Sequence, residues 1–146
     1  MGATPQADIP GNTHKFHTTN ASIASNGATS QIDQFVAPST NAIKILAVNR
    51  IVQANEATHG TATTSATYRQ FVLVNAGTSG TGTATLASLN QTASQAAGPA
   101  RAFTLASTVT APAGAVIQLQ QVTVGGTDND GTIVQAGSTD IDYQLL

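Results

Sequence analysis

Phe71, Val72, Leu73 and Val74 follow one another without a polar break, inside a stretch, 68–74, that is aromatic and β-branched. Such a stretch forms a strand, and a strand sends successive side chains to opposite faces. Four apolar neighbours therefore load both faces, and both need cover. One cover is the core of the domain. The other is a second sheet edge, the chain's own tail or another subunit. Asn75, Gly77, Ser79 and Gly80 then supply turn chemistry, and 82–89 reads as a second, smaller strand. Residues 68–89 are expected to form a β-hairpin with a loop longer than the two-residue kind.

Strand signals recur along the chain. Residues 32–36 form a short strand stopped by Pro38. Residues 43–52, IKILAVNRIV, form the longest; Lys44 and Arg50 share one parity, and Ile45, Leu46, Ala47 and Val48 load both faces of its middle. Residues 102–105 are a short strand. In 115–124, Ile117 and Leu119 hold one parity and Val122 and Val124 the other, which predicts a β-bulge at Gln120 and Gln121. Residues 133–136 are short again. In 140–146, Ile141, Tyr143 and Leu145 alternate with Asp140, Asp142 and Gln144, the pattern of a half-buried antiparallel strand. No segment keeps a helical period over three turns. About eight strands divided by turns predict an all-β fold, an antiparallel β-sandwich of jelly-roll type, over residues 31–146.

Residues 1–30 differ. Pro5, Pro10, Gly11, Asn20 and Gly27 punctuate a Thr/Ser/Ala-rich segment whose apolar residues Ile9, Phe16 and Ile23 stand isolated. This segment is expected to be an extended N-terminal arm without a core of its own, either a disordered terminus or an arm that orders on a partner. Extended chain spans at most about 3.3–3.6 Å per residue. Anchors seven residues apart then lie about 25 Å from one another, which calls for a long groove rather than a pocket.

Leu, Ile, Val and Phe together number 31 of 146 residues, a lean core for one domain that association would reinforce. Charged residues are 8% of the chain and the net charge is -2. Lys15, Lys44, Arg50, Arg69 and Arg101 are scattered, so no basic stripe matches a phosphate backbone and no nucleic-acid partner is expected. No apolar run is long enough to cross a membrane as a helix, and the first residues lack the pattern of a secretion signal. Cysteine is absent, so disulfides do not hold the fold.

Chemistry is sparse. His14 and His17 could join Asp8 or Asp33 at a metal only if the arm folded back, and His59 stands apart. The run Asp128, Asn129, Asp130, Gly131 looks like part of a calcium loop but lacks its first and last acidic ligands, so a hairpin turn is the simpler reading. No nucleophile elbow occurs. The chain is expected to be no enzyme, with no catalytic residue, no metal and no cofactor.

Arg69, Leu73, Asn75, Gly77, Gly80, Gly82 and Leu89 stand in a pattern that resembles the small jelly-roll decoration, or cement, proteins of tailed-bacteriophage heads. Phe103, Thr104 and Leu105, followed by 112–117, PAGAVI, look like the next strands of that family, with Ala115 where an acidic residue often follows the glycine. The resemblance covers 43–146 and is one of strands and turns. It implies a trimer seated on the major capsid protein, on the outer surface of the virion, stabilising the shell. On that basis Ile9, Phe16 and Ile23 are capsid-contact candidates. Ile45, Val48, Val72 and Val74, from the doubly apolar strands, are oligomer-interface candidates. The alternative is a receptor- or glycan-binding sandwich of a fibre or cell surface; the six aromatic residues read mostly as core, which disfavours a saccharide platform.

Overall fold

The computed structural model describes residues 12–24, 29–55, 68–93, 95–124 and 133–146. Among them seven strands are long: β1 (Thr13–Asn20), β3 (Thr29–Val36), β4 (Ile43–Val52), β5 (Tyr68–Asn75), β6 (Ala84–Gln91), β10 (Val116–Val124) and β12 (Gly137–Leu145). Five are two-residue pieces: β2 (Ile23–Ala24), β7 (Arg101–Ala102), β8 (Thr104–Leu105), β9 (Thr110–Ala111) and β11 (Ile133–Val134).

Every strand pairing among the described residues is antiparallel. Sheet A runs β1-β12-β4-β7, with β9 also on β4, and sheet C runs β3-β10-β5-β6-β8. A small third ladder joins β2 and β11. In chain order the long strands lie in sheets A, C, A, C, C, C and A, and the first and last of them, β1 and β12, are neighbours. This is jelly-roll wiring. The eighth position is filled by 101–111, which touches sheet A at β7, sheet C at β8 and sheet A again at β9.

The hairpin forms as its sequence predicts. Asn75 Oδ1 accepts from the Gly77 amide at 2.9 Å, and Gly77 and Gly80 both take positive φ, which only glycine adopts freely. The turn is then seated on β10: the Ala76 amide donates to Val116 O and the Val116 amide to Gly77 O.

Three features differ from the sequence reading, each for a local reason. First, Thr13–Asn20, read as part of a coreless arm, is an edge strand laddered to β12 over its full length. Of its inward residues His14, Phe16, Thr18 and Asn20, only Phe16 is strongly apolar, so hydrophobic periodicity carried no signal there. Second, β4 pairs with β12 through a register shift, with Ala47 opposite Asp142 and Ile45 opposite Tyr143. Leu46 is the extra residue of a bulge. A one-residue insertion exchanges the faces of everything after it, so Lys44 points out while Arg50 is buried. The doubly apolar middle of β4 marks this phase change. Third, β10 keeps its phase: Ile117, Leu119 and Gln121 all face in. The irregularity expected at Gln120–Gln121 lies across the ladder in β3, where Ile32 is skipped between Asp33 and Gln31.

The core between the sheets is built from Ile43, Ile45, Val48, Phe71, Leu73, Leu86, Ile117, Leu119, Ile141 and smaller neighbours. At one end it becomes polar. Arg50, Arg69, Gln91, Gln121 and Thr139 are all buried. Arg50 Nη1 donates to Asn20 Oδ1 at 3.0 Å and Nη2 to Gln135 O at 3.1 Å, and its guanidinium lies 4.6 Å from the centre of the Phe71 ring. Gly137 passes against this group. A Cβ there would lie 2.5 Å from Ile51 O and 3.0 Å from Arg50 Nη1. We therefore expect Gly137→Ala to destabilise the fold by about 1–3 kcal/mol, the usual cost of overpacking, while Gly114→Ala, whose Cβ meets open space, loses only the smaller penalty of a positive φ, about 1 kcal/mol. Urea unfolding of the two variants measures the difference.

Candidate functional site

The outer surfaces of the two sheets are chemically unlike. On sheet A the register aligns Lys15 with Asp142, His17 with Asp140, and Gln144 with Lys44. Lys15 Nζ lies 3.6 Å from Asp140 and 3.5 Å from Asp142, and His17 Nδ1 donates to Asp140 Oδ1 at 2.5 Å. The His17 hydrogen bond, helped by the Lys15 charge and opposed by slight burial, holds the Asp140 carboxyl below its ordinary range.

Sheet C presents no charged residue on its outer face among the described residues. One cross-strand row aligns Gln34, Gln118, Val74 and Thr85; the next aligns Gln31, Gln120, Val72 and Ser88; a third aligns Val122, Gln70 and Asn90. The amides bond to one another within the face: Gln120 Nε2 to Gln118 Oε1 at 2.9 Å, Gln31 Nε2 to Gln34 Oε1 at 3.1 Å and Gln70 Nε2 to Asn90 Oδ1 at 2.7 Å. Val72 and Val74 lie among them with only 6% and 5% of their surface exposed. The register sets Gln120 beside Val72 and Gln118 beside Val74 on the neighbouring strand.

The predicted site residues are distributed as follows. Val72 and Val74 are on the outer face of sheet C. Ile45 and Val48 are in the core and pack against the opposite sheet; the bulge at Leu46 turns both inward. Phe16 stacks on Phe35 with ring centres 4.3 Å apart and opposes Ile141 in the ladder. Ile23 pairs through its backbone with Val134. Ile9 lies outside the described residues, as do His59 and the loop 128–131. His14 and His17 are on opposite faces of β1: His14 stacks inward on Tyr143 and His17 bonds outward to Asp140. They cannot converge on one ion, and no group of three metal-ligating side chains occurs among the described residues. The amide rows went unnoticed in the sequence, though glutamines at 118 and 120 and at 31 and 34 were their signal.

The class these features define is an antiparallel β-sandwich with jelly-roll wiring. The fold matches the crystal structure of the infectious bursal disease virus VP2 subviral particle with a TM-score of 0.51 and 13% identity, over 99% of this chain and 36% of that one. A structure of the Gx strain of the same virus is matched with a TM-score of 0.47 and 12% identity, over 99% of this chain and 37% of that one. The chain thus spans little more than a third of the length of these structures. No family model matches the sequence, and no curated protein matches it.

The carboxyl of Asp140 gives the sheet A face a signature. A carboxyl with a depressed pKa contributes stability above its unfolded value, about 4, and loses it as pH falls through the folded value. The side chain is partly exposed, so the contribution is no more than about 1 kcal/mol. Asp140→Asn should flatten the acid limb of stability between about pH 5 and pH 2. Thermal melts of the two proteins across that range check it; parallel curves would show that the cluster adds nothing.

Proposed function

We propose that this chain is a structural protein of a virion shell, and specifically a decoration protein that seats as a trimer on the major capsid protein and stabilises the outer surface of a phage head. The observation that carries the first part is the jelly-roll wiring, shared along nearly the whole chain with a viral capsid protein. The second part rests on the strand-and-turn pattern from Arg69 to Ile117. The mechanism is burial of sheet surface and main-chain bonding across capsomer junctions, with no bond made or broken. No catalytic residue enters this reading.

Within it, the segment ahead of β1 is the attachment arm, and β1 with the strands after it is the body. Phe16 is occupied by Phe35 and Ile45 and Val48 by the core. Ile9 and Ile23 therefore remain as anchors on the shell, and Val72 and Val74 as the valines nearest a subunit contact.

Purified protein added to undecorated heads tests the proposal. It should bind in fixed stoichiometry and raise the temperature at which the heads rupture. Deletion of residues 1–11, which leaves β1 whole, should preserve the melting temperature of the protein and weaken binding to heads at least about tenfold, or about 1.4 kcal/mol. Unchanged affinity would remove the arm from the contact, and no binding by the full chain would overturn the decoration role.

A further inference from the structure

We infer that the outer face of sheet C is where copies of this chain meet, amide face against amide face, with a second copy as its occupant. A face that meets its own copy makes a two-fold contact, so it pairs copies of the chain and is separate from the trimer proposed above.

Solvent-facing sheets ordinarily carry charges that keep copies apart. Sheet A does, and its charges are satisfied among Lys15, His17, Asp140 and Asp142. Sheet C offers Gln31, Gln34, Gln70, Gln118, Gln120 and Asn90 instead. Depletion of charge is the compositional mark of the centre of an interface. It also decides between partners. A charged partner would find nothing to pair with here, whereas a primary amide is both donor and acceptor and so complements its own kind. Each amide has two N–H groups and two lone pairs. The bonds within the face use one of these and hold the side chain in place, which lowers the entropy lost on association and leaves the rest for a facing copy.

The size fits. Four strands about 4.8 Å apart, each with about eight residues rising about 3.3 Å, present roughly 500 Å² per copy. The total of roughly 1,000 Å² reaches the lower bound of a specific interface. The contact is with amides and not with the valines, because Val72 and Val74 are already covered at 6% and 5% exposure.

Sedimentation equilibrium of the purified chain, with no shell present, tests this. The native chain should associate at about 10 µM. The double variant Gln118→Glu with Gln120→Glu, which changes charge and hardly changes shape, should raise the dissociation constant at least tenfold while circular dichroism and melting stay native. Lys15→Gln, on the other face, should leave association unchanged. If the double variant does not fold, Gln34→Lys on the edge strand β3 puts the same question. A native chain that is monomeric at that concentration overturns the inference, as does a folded double variant that associates as tightly as the native chain. An oligomer that responds as predicted yet ignores heads would overturn the decoration role alone.

Discussion

Arg50 is the point on which the sandwich depends. It is a cation in the interior of a domain whose aliphatic core is lean, and a buried charge is tolerated only with its donors satisfied. It is met from three other places in the chain: Asn20 at the end of β1, Gln135 just before β12, and the Phe71 ring across on sheet C. One side chain thereby fastens the first and last long strands to each other and one sheet to the other. The close passage of Gly137 follows from the same packing.

The β5–β6 hairpin and the β12 alternation were legible in the sequence because each rests on a local rule, turn chemistry in one case and a strict period in the other. The all-β class followed from them. The rest was hidden where structure is held by something other than apolar burial. Strand β1 is held by its ladder, by Asn20 on Arg50 and by aromatic stacking, and a hydrophobic period cannot register those. Arg50 shares its parity with Lys44, so nothing in the sequence marked it as inward, and only the insertion of Leu46 separates them. Gln121 broke the apolar phase of β10 because it belongs to the polar end of the core, next to Phe71 in the ladder.

The candidate site was legible only in outline. Four successive apolar residues at 71–74 did need cover on both faces, as their sequence demanded. Phe71 and Leu73 find it in the core, whereas Val72 and Val74 are buried within the same chain on a face of neutral amides. A pattern that suggests a naked apolar interface can thus arise beneath a polar one. Periodicity sorts residues between faces but says nothing of how long side chains on adjacent strands lie down.

The segment 101–111 has a mechanical consequence. Because it is stitched to sheet A, then to sheet C, then to sheet A again, the two layers cannot slide past one another without opening one of its short ladders. Side-chain packing between the layers resists such shear gradually. Here the resistance includes main-chain bonds that either hold or break. A load tangential to one sheet is thus carried to the other as a rigid displacement, up to a sharp threshold.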